Sequence, residues 1–119
     1  MSGFTVRRAG DMAWEKNVLG STVTRLRTDG AMLTIVHGRR GDVVPAHGYS
    51  KGCVTYVVNG RIDVDGEVLG AGDAGTYLAP GGYFTVKFLE DATYVVARAS
   101  QDEITVPDIG ERAAHHLDA

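Results

Sequence analysis

A chain of 119 residues with 44% apolar and 23% charged side chains has the composition of one globular domain, with room for a single core and a small-ligand cavity. A formal charge of −3 and no Lys/Arg run beyond Arg39-Arg40 exclude a phosphate-backbone footprint, so no nucleic-acid partner is expected. No apolar stretch approaches the roughly 20 residues that cross a bilayer, MSGFTVRRAGDMAW lacks an apolar signal core, and the lone Cys53 makes no internal disulfide, so no membrane partner and a cytoplasmic location are expected.

Sixteen Gly against three Pro make the chain turn-rich, and no window sustains a 3.6-residue apolar period, so little helix is expected. Short strands between Gly-marked turns predict an all-β sandwich or barrel. Residues 1–20 form an N-terminal segment with Trp14, Val18 and Leu19 as apolar anchors, broken at Gly20-Ser21. A strand follows from Thr22 to Arg27, then a turn at Asp29-Gly30. In the next strand, Ala31 to His37, Leu33, Ile35 and His37 share one face while Met32, Thr34 and Val36 take the other. Both faces are largely apolar, as where a sheet is covered on both sides. After the loop from Gly38 to Asp42, Asp42 to Tyr49 is a strand interrupted by Pro45, which suits an edge or a bulge.

Cys53 to Val58 carries the strongest β pattern, and the Asn59-Gly60 that ends it predicts a tight hairpin returning through Arg61 to Val64. Asp65-Gly66 is a further turn, Val68-Leu69 leads into the turn Gly70 to Asp73, and Thr76 to Ala79 is stopped by Pro80. Tyr83 to Leu89, a turn at Glu90-Asp91 and Thr93 to Ala99 complete the β region, placed over 21–100. The tail over 101–119 is polar, with a short helix expected near Glu111 to Leu117 and an exposed His115-His116 pair.

The chemistry concentrates between Gly41 and Gly60. Gly41 is followed by five residues and His47, one and Tyr49, three and Cys53, six and Gly60. That spacing resembles the first motif of the cupin superfamily, Gly, five residues, His, one, His, three or four, Glu, six, Gly. Tyr49 stands where the family has its second His and Cys53 where it has Glu. Pro80-Gly81-Gly82-Tyr83-Phe84-Thr85 resembles the second motif, Pro-x-Gly-x-x-His, with Thr85 at the His position. The resemblance covers roughly 31–99, and the short length is similar to the acetylacetone-cleaving and 2,4'-dihydroxyacetophenone dioxygenases.

The resemblance implies a single small jelly-roll-like cupin β-barrel over 21–100 and a homodimer, with 1–20, Trp14 included, as a dimer-interface strand. Cupins of this kind hold Fe, Mn, Ni or Zn with imidazoles. Of the three His positions only His47 is a His, and one imidazole beside a thiol and a phenol falls short of the roughly three protein ligands of a catalytic site. No metal and no other cofactor is therefore expected. His47 and Tyr49, two apart on a strand, project to one face, which the cupin pattern makes the barrel interior.

His47 is the candidate acid or base, since its ordinary pKa near 6.5 needs little tuning. Tyr49 suits donation to an oxyanion, because holding it ionised at pH 7 would cost about 4 kcal/mol. Cys53 completes the catalytic candidates, and His37, Tyr56, Thr85 and Lys87 are the candidate substrate-binding residues. The expected function is a metal-independent isomerase, cyclase or lyase acting on a small carbonyl-containing substrate. The alternatives are a dioxygenase with an atypical metal site and a non-catalytic ligand-binding cupin.

Overall fold

The computed structural model describes residues 3–107; the helix expected near Glu111 to Leu117 and the His115-His116 pair lie outside the described residues. The strands, in chain order, are β1 (Glu15–Lys16), β2 (Thr22–Arg27), β3 (Met32–Gly38), β4 (Val43–Tyr49), β5 (Cys53–Asn59) and β6 (Arg61–Val64), followed by β7 (Glu67–Gly70), β8 (Ala74–Tyr77), β9 (Phe84–Phe88), β10 (Ala92–Arg98) and β11 (Ile104–Thr105). A single 3₁₀ turn, Ala9–Asp11, is the one helical element among the described residues. None of their helices is long and apolar enough to cross a membrane. The fold is all-β, as the two-residue apolar period requires.

All pairings are antiparallel. One sheet runs β1-β2-β3-β10-β5-β8 and the other β11-β4-β9-β6-β7. The two pack face to face over a core in which Val23, Val36, Val57, Tyr94 and Val96 from the first meet Val44, Ile62, Val86, Phe88 and Ile104 from the second. Each fully buried Val or Ile contributes about 1.5–3 kcal/mol. The two-residue strands β1 and β11 extend the sheets outside 21–100, pairing with β2 and β4.

Two turns exchange the roles their residues suggest. Asn59-Gly60 does not close a hairpin. Only Gly60 of the pair has positive φ (77°), and β5 and β6 belong to different sheets. The chain turns a corner there, so Arg61–Val64 pairs with β7 and β9 instead of returning along β5. The two-residue hairpin is at Asp65-Gly66, where both residues have positive φ (50° and 93°) and Val64 faces Glu67 across the ladder. A type I′ turn needs that geometry at both positions. The strand expected at Thr76 to Ala79 sits earlier, at β8, because its pairing with β5 runs from Tyr56↔Ala74 to Cys53↔Tyr77.

Pro45 marks a bulge in β4. Val44 pairs with Val86 and His47 with Phe84, which sets two residues of β4, Pro45 and Ala46, against the single Thr85 of β9. The extra residue keeps Val44 and His47 both buried although an odd number separates them. From His47 the alternation resumes, and Tyr49 follows it inward.

Candidate functional site

Between the sheets lies a cavity of about 660 Å³, in the range that small-molecule sites occupy. His47, Tyr49 and Cys53 all line it. β4 supplies the first two from the five-stranded sheet, and Cys53 opens β5 of the other, so the three meet across the mouth of the turn that joins the sheets. Ile62, Leu69, Phe84, Val86 and Val96 make the walls apolar. Gly48, between His47 and Tyr49, has no room for a side chain. A Cβ there would stand 2.6 Å from the Gly82 carbonyl oxygen and 2.7 Å from the Tyr77 hydroxyl.

His47 is 2% exposed. Its Nδ1–H donates to the Pro45 carbonyl at 2.7 Å, which leaves Nε2 as the ring's acceptor. The bulge thus does two things: it turns the ring inward and supplies the carbonyl that fixes its tautomer. Burial lowers the His47 pKa below 6.5, and the nearby Arg98 charge adds to this; the Pro45 carbonyl and Asp65 oppose it without reversing it. The imidazole is neutral at pH 7. It sits edge-on to Tyr49, ring centroids 5.5 Å apart, and 4.5 Å from Phe84.

Burial, with Cys53 and Tyr94 adding to it, raises the Tyr49 phenol well above its ordinary value. Tyr49 is therefore a donor. Cys53 is pushed up to about 11, chiefly by burial, against a hydrogen bond with Thr55 that pulls the other way. It is a protonated thiol at neutral pH, far from the thiolate that a nucleophile needs.

Behind Tyr49 lies a buried charged group. Arg98 is buried, its guanidinium 5.2 Å from the Tyr49 ring centroid. Nη1 of Arg98 donates to the Asp102 carbonyl (3.3 Å) and carboxylate (3.4 Å). The same carboxylate accepts from Ser50 Oγ at 2.7 Å and the Lys51 amide at 2.6 Å. Asp102 thereby ties the turn between Tyr49 and Cys53 to the end of the barrel, and its charge explains how Arg98 is tolerated inside.

The other candidates are not brought together. His37 is exposed on the outer face of β3, stacked on Trp14 with centroids 4.1 Å apart and hydrogen-bonded to Thr93 Oγ1 at 2.7 Å. Tyr56 is 48% exposed on the outer face of β5, because Cys53, Thr55 and Val57 take the inward positions. Thr85 and Lys87 alternate with Phe84, Val86 and Phe88 and turn away from the cavity. Phe84, not Thr85, faces His47, since the ladder pairs it there. The apolar Phe84/Val86/Phe88 alternation was the indication that the motif alignment overrode. Reading by motif also missed Thr55, Tyr77 and Tyr94 on the lining, and Asp65, Glu67 and Asp73, which are exposed where the cavity opens.

The metals held by cupins find no matching donors. Among the described residues no three His, Cys, Asp or Glu side chains converge to hold an ion. His47 offers one nitrogen, while Cys53 and Tyr49 hold their protons at neutral pH. A metal would have to displace both protons with one imidazole as its only ready ligand.

No protein-family model matches the chain, and no curated protein does. Solved structures do match. An acetylacetone dioxygenase from Acinetobacter johnsonii aligns with a TM-score of 0.71 at 12% identity, over 93% of this chain and 82% of that one. An RmlC-like cupin from Shewanella frigidimarina aligns at 0.68 and 20% identity, over 83% and 91%. A chain of the Rhodobacter sphaeroides complex of SigE with the anti-sigma ChrR aligns at 0.66 and 26% identity, over 76% of this chain. This chain spans about half (51%) the length of that one. Two antiparallel sheets enclosing a cavity, similar in shape to a solved RmlC-like cupin and to an acetylacetone dioxygenase, give this chain the fold of a small cupin.

Proposed function

We propose that this small cupin is a metal-independent enzyme of isomerase, cyclase or lyase type that moves protons on a carbonyl-containing compound. The observation that carries the reading is the His47–Tyr49 pair: a neutral imidazole with Nε2 as its acceptor, beside a protonated phenol, on one wall of an apolar cavity. His47 Nε2 takes a proton from the carbon next to the carbonyl. The C–H electron pair forms a carbon–carbon π bond, and the carbonyl oxygen takes the negative charge. Tyr49 O–H donates to that oxygen, where a donor in a water-poor site is most effective. Return of the proton to another carbon completes an isomerisation, and loss of a β-substituent completes an elimination.

The test is hydrogen–deuterium exchange at the α-carbon, followed by proton NMR in D₂O with a panel of small ketones, diketones and hydroxyketones. Exchange in the wild type should fall by about 10²–10⁴-fold in His47→Gln, fall by about 10²–10³-fold in Tyr49→Phe, and survive chelation. Exchange that persists in His47→Gln, or that disappears on chelation, rejects the reading.

A second reading, a non-catalytic ligand-binding module, is favoured by the 26% identity to a chain of a sigma–anti-sigma complex. Binding by panel members with no exchange from any of them would select it. For the setting of either activity we propose a cytoplasmic homodimer that uses the N-terminal segment, where Trp14 stands 40% exposed. Light scattering behind size exclusion should report twice the chain mass; one chain mass at micromolar concentration rejects the dimer.

A further inference from the structure

We propose that the cavity admits uncharged carbonyl compounds with an apolar body and excludes anionic ones, carboxylates and phosphate esters alike. This rests on the catalytic reading given for the site and adds the charge class of its substrate.

Among the described residues that line the cavity there is no Lys and no Arg. Three are carboxylates, Asp65, Glu67 and Asp73, all exposed where the cavity opens. An anion approaching the opening therefore meets charge of its own sign before it leaves water. Further in, the surface is Ile62, Leu69, Phe84, Val86 and Val96, with Tyr49, Tyr77 and Tyr94 presenting rings. The Tyr49 O–H is a donor there, but no cation lines the surface to repay the hydration that a full negative charge gives up.

The other polar groups nearest the cavity are each engaged elsewhere or turned away from it. Arg98 lies against the Tyr49 ring and gives its Nη1 to Asp102, so its charge is already matched and it is not part of the lining. Lys87 and Thr85 point away from the cavity. His47 has spent its one N–H on the Pro45 carbonyl and offers a lone pair, which repels a negative oxygen. Protonating the ring to reverse this is opposed by its burial. The Tyr77 hydroxyl is likewise used, donating to the Gly82 carbonyl at 2.6 Å.

An uncharged carbonyl compound meets none of these objections. Its oxygen needs one donor, which Tyr49 supplies. The rest of the molecule replaces water against aliphatic and aromatic walls, the usual source of affinity in such sites.

The experiment uses the full chain and a pair of probes of one shape and different charge, 2-oxo-4-phenylbutanamide and 2-oxo-4-phenylbutanoate, with 4-phenylbutan-2-one as a second neutral ligand. Backbone amide NMR titration gives the three affinities, with shifts expected at Thr55, Leu69 and Val86. The amide and the ketone should bind, and the carboxylate should bind about a hundredfold more weakly, the effect of desolvating one unpaired charge. A carboxylate that binds within about tenfold of the amide overturns the proposal, and so does the failure of both neutral probes to bind at millimolar concentration. Because binding is read without turnover, the two readings fail separately. Charge-selective binding without α-proton exchange sinks the catalytic reading alone, while exchange on neutral and anionic substrates at equal affinity sinks this one alone.

Discussion

His37 and His47 show what one side of a sheet or the other does to the same side chain. His37, on the outer face of β3, is exposed, stacks on Trp14 and shares a hydrogen bond with Thr93. His47, on the inner face of β4, is buried, has its tautomer fixed by the Pro45 carbonyl and is held neutral. Sequence gives both a strand and an apolar neighbourhood. What separates them is the phase of the strand, and in β4 that phase is set by the bulge at Pro45. The inner wall also carries a cost the outer face lacks, a buried charge pair under Tyr49. Function on the inside therefore depends on contacts that the outside can lose without consequence.

The largest effect should come from removing that support. Asp102→Ala would leave the Arg98 guanidinium buried without its counter-charge and release the Ser50 and Lys51 contacts that hold the turn before Cys53. A loss of about 3–5 kcal/mol is expected from urea unfolding. The double variant Arg98→Met/Asp102→Leu, which removes both charges, should recover most of it. A loss below about 1 kcal/mol in Asp102→Ala would mean that the pair is not carrying the inner wall.

Cys53 gives the next effect. A thiol pushed up to about 11 from 9 holds about a hundredth of the thiolate at pH 8 (11 − 9 = 2 pH units, a factor of ten for each). Alkylation by iodoacetamide should accordingly run about a hundredfold slower in the native protein than in urea. Equal rates would show that the inner end of β5 is open to solvent and that the thiol is available for chemistry.

Much of this could be read from the chain. The strands between Thr22 and Val64 and between Phe84 and Arg98, the all-β fold and the shared face of His47 and Tyr49 follow from two-residue periodicity and the motif spacing, whereas the short β7, β8 and β11 do not. What could not be read is mostly phase and partner. In Cys53 to Val58 both alternating sets are apolar, so nothing local says that Tyr56 faces out while Thr55 faces in; the pairing of β5 with β10 and β8 decides it. Asn59-Gly60 looked like a hairpin because its residues suit one, but which strand pairs with which is decided by residues far along the chain. The burial of Arg98 was not legible, because its partner, Asp102, meets it only once the chain has turned back beneath Tyr49. Thr85 is a different failure. It stands at the motif's His position, yet the Phe84, Val86, Phe88 alternation, itself legible in the sequence, turns it outward.

A smaller effect is the pH dependence that His47 gives to stability. The folded-state pKa of His47 lies below its unfolded value of 6.5, so the unfolded chain binds more protons between those two values. Stability is full above pH 6.5 and falls as pH drops from 6.5 toward the folded pKa. Melting temperatures at pH 7.5, 6.5 and 5.5 should show this decline in the wild type and a smaller one in His47→Gln. Carboxylates remote from His47 contribute equally to both proteins, so the difference between curves reports the ring together with its coupling to Asp65. Identical curves for wild type and His47→Gln would mean that His47 takes up its proton in the folded state as readily as in the unfolded one.

The smallest effect belongs to the outer face. His37→Ala removes one stacking partner of a partly exposed Trp14 and one hydrogen bond of Thr93. Surface changes of this kind fall within about 0.5 kcal/mol, so urea unfolding should hardly move. Trp14 fluorescence should still change, because the ring it stacks on is gone, and that change confirms that the site was altered even though stability was not. A loss above about 2 kcal/mol that deepens with protein concentration would reverse the comparison. His37 and Trp14 would then be covered by a second copy of the chain, and the face that looks dispensable in one chain would be holding two together.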